Sequence, residues 1–85
     1  MREFNNDLKL ALGSQFKDLR EGTGLSRHRM AQRLGYTYAK LSMKETGVTP
    51  INIDDLMIYG DYFNVYPSDL ISIAEQTILK RRSRW

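Results

Sequence analysis

The chain has 85 residues, of which 13 are lysine or arginine and 10 are aspartate or glutamate, so its net charge is +3. A chain of this length forms one small domain with a limited core, and such domains often gain stability by pairing with a second copy. It contains no cysteine and a single histidine, which excludes disulfides, thiolate metal sites and a histidine metal cluster.

The sequence carries no signal for membrane insertion or secretion. No apolar run approaches the roughly 20 residues that a membrane-spanning helix needs. The polar start, residues 1–7, is not a secretory signal. We therefore expect a soluble, intracellular protein with no membrane role.

The charged residues are distributed unevenly along the chain. Residues 22–44 contain no acid but five basic residues, and residues 45–79 contain acids and no base. A second basic cluster lies at residues 80–84. Because basic residues gathered on one element favour a polyanion, residues 22–44 are the predicted positive surface. The second cluster is either a nucleic-acid arm or a disordered, solvated tail.

The first predicted helix begins at about residue 6, after a short arm at residues 1–5. Its apolar residues recur at steps of four, four and three, as on one face of a helix: Leu8, Leu12, Phe16 and Leu19. Gly22 and Gly24 end this helix near Glu21.

Two short helices joined by a tight turn follow. Ser26 and Thr37 each stand one residue before a helical segment, where a hydroxyl can accept a bond from a free backbone N–H. Gly35 and Gly47 can take the left-handed conformation that ends a helix. The pattern predicts a helix-turn-helix, with its helices at about 27–34 and 38–46.

The exposed residues of these two helices suit nucleic acid. Arg27 and Arg29 lie at the positive end of a helix dipole, where they favour a bound phosphate over a merely solvated basic face. Leu41 is the one clear core anchor of the third helix, which leaves an outward face that fits the major groove. For Tyr38 and Met43 the alternative is partial burial against neighbouring helices. The predicted base-facing residues are Tyr38, Ala39, Lys40, Ser42 and Met43.

Two further helices are predicted. Asn52 caps the fourth, which runs to about Phe63 with a core face of Ile53, Leu56, Met57, Gly60 and Phe63. Ser68 caps the fifth, at about 69–82, which has more apolar residues than one side of a peripheral helix needs. Either it folds back onto the first and fourth helices, or it pairs with its copy in a twofold dimer. The predicted dimer surface is Ile58, Tyr62, Ile73 and Ile78.

With these helices in order, the sequence resembles the Cro and lambda-repressor (XRE-type) helix-turn-helix family. The resemblance extends from Leu12 to Ile71, in the residues Leu12-Gly13, Leu19-Arg20, Gly24-Leu25-Ser26, Met30-Ala31, Leu34-Gly35, Leu41-Ser42, Glu45, Gly47, Leu56 and Asn64–Leu70. It implies an all-α, five-helix domain that binds duplex DNA as a dimer, with the third helix in the major groove. We expect a single domain over 1–85, with a family core at 6–71 and a helical extension with a basic tail at 72–85.

The resemblance also implies residue roles. Tyr38, Ala39, Ser42 and Met43 match the groove-facing positions, while Arg20 and Glu45 match a structural ion pair between the first and third helices. Lys44 replaces a usual aliphatic residue, so either a core contact is lost or Lys44 reaches a phosphate. The predicted phosphate contacts are Arg27, Arg29, Thr37, Lys44 and Thr49.

We therefore expect a cytoplasmic, dimeric repressor on a roughly palindromic operator, in a bacterial or phage-infected cell. The alternative is a protein-interaction module, antitoxin-like or antirepressor-like, that uses the last helix to bind another protein. An enzyme is not expected, because there is no glycine-rich phosphate loop, no carboxylate pair beyond the capping Asp54-Asp55, and no orienting partner for His28. No cofactor or metal is expected; the expected partners are double-stranded DNA, a second copy and possible protein partners.

Overall fold

Five α-helices make up residues 2–82, the part of the chain that the computed structural model describes, with side-chain environments from residue 6 onward. The all-α, five-helix prediction is confirmed for these residues. None of these helices is long and apolar enough to cross a membrane. In chain order the helices are α1 (Arg2–Gly22), α2 (Arg27–Leu34), α3 (Tyr38–Glu45), α4 (Ile53–Phe63) and α5 (Pro67–Arg82).

Two helix starts differ from the sequence prediction. α1 already includes residues 2–5, so the predicted arm at 1–5 is wrong for these residues, while residue 1 lies outside the described range. No glycine or proline interrupts residues 2–12, so nothing in the sequence stops the helix there. α5 begins at Pro67 instead of Asp69, so Ser68 lies inside the helix and the predicted Ser68 cap is wrong. Proline suits the first helical position because it has no N–H to leave unpaired.

The core forms where α1 packs against α3 and α5, and where α4 closes over α2 and α5. Four side chains at its centre are fully buried, namely Phe16, Met30, Leu41 and Tyr59. The rings of Phe16 and Tyr59 stack with their centroids 3.6 Å apart. Aromatic stacking of this kind adds to the stabilisation from burial alone. Leu41 is thus the core anchor of α3 that the sequence predicts.

The buried face of α4 is only partly the predicted one. Leu56 and Gly60 are buried and Phe63 is half-buried, but Ile53 and Met57 are 75 % and 58 % exposed. Tyr59, absent from the predicted face, fills the core in their place. The helix is rotated this way because Tyr59 stacks on Phe16 and Asp55 pairs with a buried cation on α3.

α5 packs against α1 and α4. This is the first of the two arrangements that the sequence leaves open for the last helix. Leu70, Ala74 and Ile78 form its buried stripe, and Ile78 is only 3 % exposed. The prediction that Ile78 lies on a dimer surface is therefore wrong, because this side chain fills the core. The far ends of α1 and α5 are joined by an ion pair between Asp7 and Arg82, at 3.0 Å.

Gly13 brings the backbones of α1 and α3 into direct contact. A Cβ atom at this position would lie 2.3 Å from the carbonyl oxygen of Lys44 and 3.0 Å from that of Glu45. Distances this short exclude a side chain, because the obstacle is backbone that cannot rotate away. The C-terminal end of α3 therefore rests on α1 at a site that only glycine permits.

Candidate nucleic-acid interface

The turn between α2 and α3 is defined by local hydrogen bonds. The Ser26 hydroxyl accepts a bond from the Arg29 N–H at 3.2 Å, and the Thr37 hydroxyl accepts one from the Lys40 N–H at 3.1 Å. Gly35 ends α2 with φ of 75°, in the left-handed region that glycine adopts without strain. The predicted caps and the predicted helix-turn-helix are confirmed.

Glu45, the last residue of α3, accepts hydrogen bonds from two arginines. Arg20 of α1 donates from Nε to Oε2 at 2.8 Å and from Nη2 to Oε1 at 3.1 Å, and Arg27 of α2 donates from Nε to Oε1 at 3.0 Å. The Glu45 side chain is fully buried, and Arg20 also binds the Leu25 carbonyl at 2.9 Å. The structure contains the predicted Arg20–Glu45 pair and adds Arg27, so this carboxylate fixes α3 to both preceding helices.

Arg27 has a structural role within the protein, because its guanidinium group links α2 to Glu45 at the end of α3. The hydrogen bond that Arg27 donates to Glu45 raises the pKa of Arg27 above its usual value, and partial burial opposes this shift. The Tyr38 hydroxyl raises this pKa further. The Arg27 side chain is 25 % exposed. A contact of Arg27 with phosphate stays a prediction.

Lys44 does not lie on the nucleic-acid surface. It is buried, and its Nζ lies 2.7 Å from Asp55 Oδ2 and donates to the Pro50 carbonyl at 3.0 Å. The predicted phosphate contact is wrong for this residue, because the ammonium group already has two partners inside the fold. Its aliphatic stem occupies the core position, and Asp55 compensates its charge.

Asp55 joins α4 to the turn of the motif. It forms a capping box with Asn52, in which the Asn52 N–H donates to Asp55 Oδ2 at 2.9 Å and the Asp55 N–H donates to Asn52 Oδ1 at 2.8 Å. The Tyr36 hydroxyl donates to its other oxygen. Sequence reasoning identified the cap but missed Lys44 and Tyr36 as partners.

The pKa values in this network follow from its contacts. Burial alone would raise the pKa of Asp55, but the hydrogen bonds from Lys44, Tyr36 and the Asn52 N–H outweigh burial and lower it below its usual value. Burial raises the pKa of Tyr36, and so does its bond to the Asp55 carboxylate. At neutral pH Asp55 is therefore ionised and Tyr36 is a neutral donor.

The opposite face of α3 is open to solvent. Tyr38 and Met43 are each 43 % exposed, Ala39 is exposed, and Ser42 is half-buried. With about 100° of rotation per residue, these four lie within an arc of about 140°. Lys40 lies about 60° beyond this arc, and its Nζ is 4.6 Å from the centre of the Tyr36 ring. Tyr38 and Met43 are therefore partly buried, as the alternative interpretation holds, but both remain accessible. Four of the five predicted base-facing residues, all except Lys40, lie together on one accessible strip.

The remaining predicted phosphate contacts lie at the starts of α2 and α3 and in the loop after α3. Arg29 and Thr37 are exposed at the N-terminal ends of α2 and α3, and Thr49 is half-buried just beyond α3. The Thr49 N–H bonds the Met43 carbonyl at 3.3 Å, which holds that loop against the helix. Their roles stay predictions.

A family profile described as "Helix-turn-helix domain" matches residues 11–70. The chain belongs to this helix-turn-helix family. The XRE/Cro-like resemblance noted in the sequence is confirmed, and membership carries a DNA-binding regulatory role at this general level. The crystal structure of the clp gene regulator ClgR from C. glutamicum has a similar fold, with a TM-score of 0.72 and 20 % identity, over 82 % of this chain and 91 % of that chain. No curated protein matches the sequence significantly.

In this helix-turn-helix domain the matched region covers α2, α3 and α4 completely. It begins within α1 and ends within α5, so most of α5 lies beyond it. The proposed division into a core at 6–71 and an extension at 72–85 stays a prediction. Across residues 6–82, no three histidine, aspartate or glutamate side chains are grouped as a metal site would require. The family itself is non-enzymatic.

Proposed function

We propose that this helix-turn-helix domain is a sequence-specific regulator that binds double-stranded DNA and acts as a dimeric repressor. In this proposal α3 enters the major groove and α2 braces it across the backbone. The observation that carries it is the contrast between the two sides of α3. One side is fixed by buried charges, and the other exposes a strip of solvent-accessible side chains.

The buried side supplies preorganisation. Glu45 ties α3 to α1 and α2, and Lys44 ties it to α4. A helix held from three directions keeps its orientation when DNA approaches, so little conformational entropy is lost on binding. This rigidity is what base reading requires, since hydrogen bonds to base edges tolerate only small displacements.

The exposed side determines what kind of reading is available. Tyr38 and Ser42 can hydrogen-bond base edges, and Ala39 and Met43 can contact thymine methyl groups. The strip lacks the glutamine, asparagine or arginine that bind bases through two hydrogen bonds. Methyl contacts and sequence-dependent DNA shape therefore carry much of the specificity.

Phosphate contacts anchor the helix in register. Arg27, Arg29, Thr37 and Thr49 lie at the starts of α2 and α3 and in the loop after α3, and Lys44 is excluded from this set because it is buried. Each neutralised phosphate releases counterions, so affinity falls as salt concentration rises. We expect Arg29→Gln to weaken binding to every sequence and to reduce the slope of log affinity against log salt by about 1.

The dimer in this proposal uses Ile58 and Tyr62 of α4 and Ile73 of α5, which are half-buried or exposed. Ile73 is 51 % exposed, and burying it against a second copy would remove apolar surface from water. A twofold dimer presents two α3 helices, so the operator has two inverted half-sites about one helical turn apart. Occupancy of such a site blocks polymerase, which makes repression the expected outcome.

The experiment is selection of bound sequences from random duplex DNA, followed by affinity measurements on the selected site. We expect Tyr38→Ala and Met43→Ala to lose preference for the selected site. Met57→Ala is the matched control, because it removes a methionine of comparable exposure from α4. Failure of the folded wild-type protein to enrich any motif would contradict the proposal.

A protein-interaction module is the second candidate, favoured by the exposure of Ile53 and Met57 on α4. They lie four residues apart, so they form one apolar stripe on the helix. This candidate predicts the reverse mutational pattern, in which Met57→Ala abolishes activity and Met43→Ala preserves it. Comparing these two variants in a repression assay distinguishes the two functions.

A further inference from the structure

We propose that His28 is a positioning residue for base recognition, whose ring holds Tyr38 in the orientation that reads DNA. This inference rests on the proposed DNA-binding function and adds a specificity-determining residue to it. It starts from a contact between α2 and α3 that the roles assigned above do not use.

The contact is a stack of two aromatic rings at the surface. The centroids of His28 and Tyr38 are 4.3 Å apart, and the ring planes differ by 23°. His28 lies in the first turn of α2, and Tyr38 is the first residue of α3. Both residues are exposed, so burial in the core does not account for their pairing. Aromatic pairs at this distance attract each other beyond the effect of the area they bury.

Tyr38 needs such a partner because α3 gives it little support, and the contact of its hydroxyl with Arg27 holds only the far end of the ring. As the first helical residue it has no preceding helical turn to pack against, and its side chain is 43 % exposed. An unsupported tyrosine would sample several rotamers in solution, and each would have to be abandoned on binding DNA. The histidine ring covers one side of the tyrosine ring and so restricts these rotamers before DNA arrives.

The platform beneath the stack is itself rigid. Arg27, the residue before His28, is bonded to the buried Glu45 at 3.0 Å. Met30 and Ala31, on the same helix, are buried in the core. These contacts hold α2 in place against α3. The His28 ring therefore has a defined position, and it restricts the orientation of the Tyr38 ring.

The test begins with the wild-type protein and its variants His28→Ala and His28→Phe. NMR of the Tyr38 ring protons measures the stack directly, because a neighbouring aromatic ring shifts their resonances. We expect the shift in the wild type, its loss in His28→Ala and its retention in His28→Phe. Circular dichroism confirms that each variant is folded.

DNA binding is then measured on the selected site and on every single-base-pair variant of it. We expect His28→Ala to lower the preference at the base pairs that Tyr38→Ala also affects, by about two- to tenfold, the range of one aromatic pair. His28→Phe restores that preference. Arg29→Gln is the matched control from the same helix turn, and it weakens binding to all these sites equally.

The outcomes separate the two proposals. If the folded wild type selects no motif, the proposed function and this inference both fail. If it selects a motif and His28→Ala leaves every base preference unchanged, only the role of His28 is overturned. If His28→Phe keeps the stack but does not restore the preference, an imidazole contact with DNA replaces stacking as the explanation and overturns the inference.

Discussion

Lys44 and Glu45 are neighbours at the end of α3, carry opposite charges, and enter two different buried networks. Glu45 binds Arg20 and Arg27, so that network has two cations for one anion. Lys44 binds Asp55, which also accepts from the neutral Tyr36 hydroxyl, so the second network is balanced. The two networks therefore respond differently to the loss of one residue. Without Glu45 two cations lose their shared anion, whereas without Lys44, Asp55 still has hydrogen-bond donors.

Removal of Glu45 should produce the largest loss of stability. In Glu45→Ala two guanidinium groups, one of them almost fully buried, lose their carboxylate. Breaking a buried ion pair on one side costs about 3–5 kcal/mol. We expect urea denaturation to show a loss in this range. A smaller loss for the double variant Arg20→Met/Glu45→Met than for Glu45→Met alone would show that the uncompensated charge of Arg20 is responsible.

A methyl group at Gly13 tests the contact between the backbones of α1 and α3 beside Lys44 and Glu45. Gly13→Ala would drive a Cβ against the carbonyls of Lys44 and Glu45, and overpacking of this kind costs about 1–3 kcal/mol. We expect a loss near the upper end, because neither backbone can move freely. Gly22→Ala is the control on the same helix, with no atom within 4 Å of the new Cβ. Equal thermal shifts for both variants would contradict the contact.

Removal of Lys44 should cost less than removal of Glu45. In Lys44→Met the stem volume is kept, and Asp55 retains the Tyr36 hydroxyl and the Asn52 N–H as donors. Loss of one charged partner in a network that still has others costs about 1–3 kcal/mol. The free energy of unfolding in urea measures this. A loss as large as that of Glu45→Ala would mean that the two networks are energetically equivalent.

Acid should weaken the Asp55 network, with the smallest effect of the four. The pKa of Asp55 is lower in the folded protein than in the unfolded chain, where it is about 3.9. Its stabilising effect is therefore complete above that pH and is lost as the pH falls from about 4 toward the folded value. Unfolding midpoints measured between neutral and acidic pH should fall less steeply in Asp55→Asn. Asp54→Asn, at the exposed neighbouring residue, should keep the wild-type slope.

Local chemistry explains what the sequence could predict. Ser26, Gly35 and Thr37 determine the turn through bonds to residues one to four positions away, so the motif can be read without knowledge of the tertiary fold. The Arg20–Glu45 pair, 25 residues apart, followed only from the family resemblance. The exposed strip on α3 followed from the scarcity of core residues on that helix.

The two wrong helix starts are local, but the errors about which residues are buried depend on contacts between distant parts of the chain. Ile53 and Met57 were assigned to the core because they are apolar, yet Tyr59 takes that place through its stack on Phe16. The resemblance predicts that Lys44 either costs α3 a core contact or reaches a phosphate, whereas the partner Asp55 makes its burial tolerable. Hydropathy gives the cost of burying one residue, and the partner that offsets that cost must be found in the structure.

The packing of α1 against α5 has a consequence for synthesis on the ribosome. Asp7 and Arg82 form an ion pair although 75 positions separate them, and Ile78 completes the core from the far end of the chain. α5 is translated after the helix-turn-helix, so α2 and α3 emerge before the layer that buries α1 exists. The core of this domain therefore cannot be completed until α5 has left the exit tunnel.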